Sequence, residues 1–317
     1  MYPSYLETHK NGQLVKRIKE AFSLIESCSL CPRRCGVNRL KDKKGFCKTG
    51  YLARLYSYMP HFGEEPSISG HAGSGAIFFS GCNMACAYCQ NYKFSQLNEG
   101  RGVESEELAQ VMLELQELGC HNINLVTPTH ILPQILEALS LAISRGLRLP
   151  LVYNTSGYEL PEVISLLADI IDIFLTDMRY AEDRMSTKYS NAPSYPKYNQ
   201  AAIQRMHQQL GATQIDNQGL ITRGLIIRHL VLPDNIAGTD RIMNFIAQEI
   251  STDTYVSLMS QFLPCHNAFK YPELSRRISE QEYTQAQEMM LKSGLYNGWL
   301  QESGGLARLA GTNIKPR

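Results

Sequence analysis

The sequence predicts an α/β fold built on a parallel sheet. From residue 76 onward, short apolar runs alternate with segments of helical periodicity, six times over. The first of these runs, AIFFS, is apolar throughout, as strands covered on both faces are. Polar residues stand at or just past the ends of the first four runs, where α/β folds place their chemistry: Cys82, then Thr127 and Thr129, then Asn154 and Thr155, then Asp177. Right-handed crossovers organise such a sheet either as a doubly wound layer or as a barrel.

In chain order, residues 11–27 predict a short amphipathic helix, because Leu14, Val15, Ile18, Phe22 and Ile25 recur at roughly helical spacing. Residues 28–75 differ in texture, with cysteines, glycines and basic residues but little periodicity. The chain therefore divides into an N-terminal helix with a Cys-rich metal-binding extension, residues 1–75, and an α/β domain, residues 76–317. Residues 76–80 predict the first strand. Leu108, Val111, Met112, Leu115 and Leu118 trace a helix face stopped by Gly119. A strand at 123–126 leads to a helix starting at Pro133 and ending near Gly146. A strand at 149–153, a helix at 161–168 and a strand at 171–176 follow. Residues 181–199, with two prolines and three tyrosines, predict a long loop or lid. A helix at 199–210, a strand at 224–232, a helix at 238–250, a strand at 254–260 and a helix at 279–292 complete the series.

At 317 residues and 44% apolar composition the chain is long enough to bury a sizeable core without staples. Lys plus Arg (31) nearly balances Asp plus Glu (30), which argues against a dedicated nucleic-acid binder. The first ten residues lack a secretion pattern, and Glu137, Asp169 and Asp172 interrupt the most apolar stretches. A soluble, cytoplasmic protein with no membrane partner is expected.

Nine cysteines are unusual for such a protein. In a reducing compartment, cysteines at short spacing are more often metal ligands than disulfide partners. Cys28, Cys31, Cys35 and Cys47 form one group and Cys82, Cys86 and Cys89 another; Cys120 and Cys265 stand alone and read as small apolar residues. The second group, C-x3-C-x2-C directly after the first strand, presents three thiols and no fourth. Structural zinc sites are closed by four ligands. A cubane held by three cysteines leaves one iron open. The plainer reading is a zinc knuckle or a redox thiol loop.

This arrangement resembles the radical S-adenosylmethionine (SAM) superfamily, with Tyr88 as the aromatic before the last cysteine. More narrowly, the segments CSLCPRRCGVNR, GSGAIFFSGCNMACAYCQN, NLVTPTHILPQILEAL, YNTSGYE, DIFLTDMRY and IIRHLVLPDN resemble the pyruvate formate-lyase activating enzyme relatives, especially the PflX-like group. The resemblance implies a partial (βα)6 TIM-type barrel. It also implies a [4Fe-4S] cluster on Cys82, Cys86 and Cys89, with SAM chelating the open iron and cleaved to a 5′-deoxyadenosyl radical that abstracts hydrogen from a substrate. Residue by residue, the backbone of Tyr88 is expected near the adenine. Thr127 and Thr129 stand where activating enzymes carry a Gly-Gly-Glu segment that binds the amino group of SAM; Thr129 reads equally well as a helix cap. Asn154 and Thr155 match an Asp-Thr stretch, with Asn replacing the carboxylate. Asp177 and Arg179 match an Asp-x-Lys pair, the arginine suiting the SAM carboxylate; the plainer reading is a surface ion pair or a cap. Arg228, a charge inside an apolar strand, should point into the barrel at a partner, and His229 should face the core.

Cys28, Cys31, Cys35 and Cys47 are enough to close a zinc site or to ligate a second iron–sulfur cluster, and the count does not separate the two. Residues 33–48 carry seven basic residues against Asp42. They read either as a solvated face around a thiolate site or as a dock for an acidic electron donor such as flavodoxin or ferredoxin. For the whole chain, the leading expectation is an activating-type enzyme acting on a protein or peptide. The alternatives are radical modification of a small molecule and a non-catalytic iron–sulfur or electron-transfer protein.

Overall fold

A computed structural model describes residues 3–301 and, as backbone, the short strand at 312–313; most of the last sixteen residues of the expected 76–317 domain lie outside the described residues. The N-terminal helices α1 (Tyr5–Lys10) and α2 (Gln13–Ser23) lead through the Cys-rich segment to β1 (Ala53–His61), α3 (Pro66–Ser69), β2 (Ser74–Phe79), α4 (Tyr92–Ser95) and β3 (Arg101–Val103). Helix α5 (Ser105–Glu117), β4 (Ile123–Val126), α6 (Leu132–Ser144), β5 (Leu151–Thr155), α7 (Pro161–Leu166) and β6 (Ile173–Asp177) follow. Then come α8 (Asp183–Ser190), α9 (Tyr195–Leu210), β7 (Gln214–Ile215), β8 (Ile221–Leu230), α10 (Thr239–Phe245), β9 (Tyr255–Met259), α11 (Glu280–Lys292), β10 (Gly298–Leu300) and β11 (Thr312–Asn313).

Strands β2, β4, β5, β6, β8, β9 and β10 pair in parallel, in that spatial order. The helix after each strand returns the chain over the outer face, as parallel pairing demands. Among the described residues the sheet runs from β11 at one edge to β3 at the other without closing, so the barrel is partial. All six expected strands are present within a few residues, and so is the α/β barrel class.

Four features differ from the sequence expectation. The segment before residue 76 is not wholly irregular: β1 pairs antiparallel with β2 from His61↔Ser74 to Leu55↔Phe79, so the expected 75/76 boundary falls inside a hairpin. Strand β10 adds a seventh parallel strand, too short and too isolated in sequence to be read there. The expected loop at 181–199 contains α8 and the start of α9. Pro196 sits in the first turn of α9, where its missing N–H costs nothing, so it starts a helix instead of breaking one. The end of the 238–250 helix continues as one wide turn, Ile246–Ile250.

The floor of the barrel is closed by the β1–β2 connection. Asn122, at the start of β4, donates to the carbonyl of Ile68 at 2.9 Å. Glu64 and Glu65 of this connection are buried beneath the sheet interior. Outside the sheet, α1 and α2 pack on α6, with Leu14 and Ala21 fully buried. Among the described residues no helix is long and apolar enough to cross a membrane.

Candidate active site

The loop between β2 and α4 carries Cys82, Cys86 and Cys89, and backbone hydrogen bonds to two neighbouring segments fix its shape. The N–H groups of Ala85 and Ala87 donate to Ser190 O (2.9 Å) and Tyr189 O (2.7 Å) at the end of α8. Ala87 O in turn accepts from the N–H of Asn267 at 2.8 Å. Gly81, at φ 90°, begins the loop; a Cβ there would stand 2.5 Å from Cys47 O, so only glycine allows the N-terminal segment this close. Around the loop, Met84, Tyr88, Tyr158, Tyr180, Tyr195 and Phe262 form an apolar shell. The Tyr88 hydroxyl meets that of Tyr180 at 2.7 Å, and its ring meets Phe262 edge-on.

A cavity of about 190 Å³ opens beside Cys89 at the carboxyl ends of the strands, lined also by Tyr88, Asp177, Arg179 and Arg228. Arg179 points one guanidinium nitrogen at Cys86 Sγ, 3.9 Å away, and gives another to Asp177. Arg228 donates to Asp177 (2.8 Å), to Asn154 Oδ1 (2.7 Å) and to Glu64 (3.3 Å). Its partner inside the barrel is thus a carboxylate pair plus an amide, as a charge in an apolar strand requires. Burial works against the Asp177 carboxylate, but the Arg228 and Arg179 guanidiniums outweigh it and hold the carboxyl below its usual range. For Glu64 burial prevails over Arg228 and pushes the carboxyl up.

Arg179, Asp177, Arg228, Tyr88 and Asn154 therefore form one connected set with the cysteine loop. The remaining expected contacts lie elsewhere. Thr129 and Thr155 both donate to Glu159, a fully buried carboxyl from the segment after β5, and neither lines the cavity. Thr129 does not cap the following helix either, since the first turn of α6 takes no side-chain cap. Thr127 adopts φ 61° and binds Asn154 O through its N–H, a backbone role. His229 is a satisfied core histidine: Nδ1–H donates to Met178 O, and Nε2 accepts from Thr239.

Sequence reasoning missed Glu64 and Glu159. The buried Arg228 is the only signal that pointed to the first, because it demanded an acid without saying which. No local pattern singles out Glu159.

The family model of the radical SAM superfamily matches residues 76–243. The chain belongs to this superfamily. A relative, "Uncharacterized protein MJ0674" of Methanocaldococcus jannaschii, is 29% identical over 302 residues, covering 92% of this chain and 82% of its own. Among solved structures, methylornithine synthase (PylB) superposes with a TM-score of 0.48 at 15% identity, covering 71% of this chain and 63% of that one. HydG, a maturase of the [FeFe]-hydrogenase, superposes with a TM-score of 0.45 at 13% identity, over 69% of this chain. This chain spans about half the length of that HydG chain (49%).

The superfamily implies a [4Fe-4S] cluster and SAM, and the residues fit both. Three thiols share one loop with no fourth ligand in it, which suits a cluster with one open iron. Arg179 Nε is buried beside the cavity without a partner among the described residues, a donor suited to an anionic group such as a carboxylate. When bound, this pair supplies one-electron cleavage of the sulfonium and hydrogen-atom abstraction. The chain's own part would be to fix the three thiols, to offer Arg179, braced by Asp177, to the anionic end of the ligand, and to exclude water with the tyrosine-rich shell.

Proposed function

We propose that this radical SAM enzyme is of the activating type and draws hydrogen from a residue of a protein or peptide. The supporting observation is the rim of the cavity beside Cys89, which Gln90, Asn91 and Gln261 line and where Gln90 and Asn91 are exposed. A reacting residue carried on a macromolecule would be presented at this open, polar rim. A glycyl-radical enzyme fits that mode of presentation.

Anaerobically reconstituted protein with SAM and a strong reductant should form 5′-deoxyadenosine, and a Cys86→Ala variant should not. Cell extract is then split by a size filter. Stimulation by the retained macromolecules, with a new protein-centred radical signal, supports the reading; stimulation by the filtrate alone overturns it in favour of a small-molecule substrate.

The electron donor is proposed to be an acidic flavodoxin or ferredoxin. Arg34, Lys41, Lys43, Lys44 and Lys48 are exposed on one segment whose local acid is Asp42, while Arg33 and Arg39 turn inward. Arg34 pairs with Glu162 and Lys48 with the carbonyl of Gln96, which leaves Lys41, Lys43 and Lys44 as the cations facing outward.

A further inference from the structure

Cys28, Cys31, Cys35 and Cys47 all open on one small cavity behind the active-site loop. Arg33, Arg39, Asn83 and His130 also line it. The chain folds back tightly to bring the first three thiols there: Gly36 N–H donates to Cys28 O (3.0 Å), Cys28 N–H to Val37 O (2.9 Å) and Arg34 N–H to Cys31 O (3.0 Å). Gly45 faces Cys35 across the cavity mouth. A Cβ at residue 45 would stand 2.9 Å from Cys35 Sγ, so this glycine leaves room for the sulfur.

A buried cation of this pocket keeps an unpartnered donor beside the four sulfurs. Arg39 is 1% exposed, donates once to Gly50 O, and leaves Nη2 buried with no partner. Arg33, half-buried, donates to Asn83 O at 2.7 Å and to Asn191 O, and lies over the Phe46 ring at 3.3 Å. Among the described residues neither arginine pairs with a carboxylate. A buried guanidinium with an unpartnered donor beside four sulfurs calls for a negative partner, which thiolates on a metal would supply. Four thiolates around a divalent ion, or around a cubane core of the same charge, carry about two negative charges, which the two arginines match.

We propose that Cys28, Cys31, Cys35 and Cys47 form a second, thiolate-ligated metal centre that buttresses the active-site loop through Arg33 and His130. Arg33 bridges the two sites, since its bond to Asn83 O falls one residue after Cys82. His130 is the second link. Its Nε2 donates to Ser80 O at 2.8 Å, which leaves Nδ1 a buried, unpartnered lone pair. No three Cys, His, Asp or Glu side chains among the described residues are gathered as a single-ion site, and this holds equally for Cys82, Cys86 and Cys89.

The test removes the active-site cluster and asks whether metal remains. A Cys82→Ala/Cys86→Ala/Cys89→Ala variant, purified anaerobically, should retain about one zinc per chain, or about four irons with matching sulfide. Total metal and sulfide analysis separates those two arms. Adding Cys31→Ala and Cys47→Ala should lower that metal at least tenfold, whereas adding Cys120→Ala, in the main core, should leave it unchanged. A triple variant that melts cooperatively yet holds no stoichiometric zinc or iron, even after incubation with each, overturns the proposal. That result would leave the radical SAM assignment untouched, because it never measures SAM cleavage.

Discussion

Arg179 and Glu159 show how burial assigns opposite roles to charged side chains in one barrel. Arg179 is held charged by Asp177 and keeps a free donor at the cavity. An Arg179→Ala variant should keep its cluster but bind SAM about 10–100-fold more weakly, the loss of a charged hydrogen bond, measured by titration calorimetry on the anaerobic holoenzyme. Arg179→Lys should recover only part of that, since a point charge does not reproduce a planar fork. Among the described residues no cation pairs with Glu159, and burial pushes its carboxyl up to about 7 despite the hydroxyls of Thr129 and Thr155. Between pH 4.5 and pH 7 the folded protein therefore keeps a proton that the unfolded chain has released, and stability falls as pH rises through that window. Glu159→Gln removes the penalty. It should match wild type near pH 5 and exceed it by roughly 2–3 kcal/mol near pH 8, read from denaturant midpoints; equal gaps at both pH values would show that Glu159 does not titrate in this way.

At the scale of elements, the active-site loop has no secondary structure and borrows its order from neighbours. The end of α8 supplies two carbonyls, and α8 is itself tied to the segment after β9 by Lys188 and Glu273. The β1–β2 hairpin supplies the other support, because β1 covers one edge of the parallel sheet and its connection plugs the floor with Glu64. A chain beginning at residue 76 would expose the edge of β2 and strip Arg228 of one partner. We expect such a truncation to lose cooperative thermal unfolding and to aggregate, seen by calorimetry and size-exclusion chromatography; a soluble, cooperatively melting fragment would show that the hairpin is dispensable.

Over the whole molecule the charges nearly cancel, yet they are not evenly spread. Lys41, Lys43 and Lys44 are exposed on the Cys-rich segment, which meets the active-site loop through Cys47 at Gly81 and Arg33 at Asn83. Charge reversal of these three lysines should slow turnover driven by an acidic protein donor about tenfold at low salt. It should leave dithionite-driven turnover unchanged. Rising ionic strength should erase the difference between variant and wild type, because exposed charges are screened beyond about 10 Å at 0.1 M salt. A donor rate insensitive to both salt and charge reversal would place the docking face elsewhere.

The alternation of apolar runs and helical faces was enough, in the sequence alone, to predict the parallel sheet, its six main strands and the end at which chemistry lies. Strand and helix periods are local properties, set by how side chains must face a core. The three-cysteine loop was legible for the same reason: its ligands are neighbours in sequence, so spacing encodes geometry. What only the tertiary structure decided were contacts between distant segments. Glu64 meets Arg228 across 164 residues, and Glu159 captures Thr129 across 30, turning an expected ligand contact into a buried hydrogen bond. The hairpin that closes the floor, and the two arginines turned toward four thiols, likewise depend on which backbone passes near which. Long-range pairing follows from satisfying buried charge and backbone groups in three dimensions, and no local pattern records it.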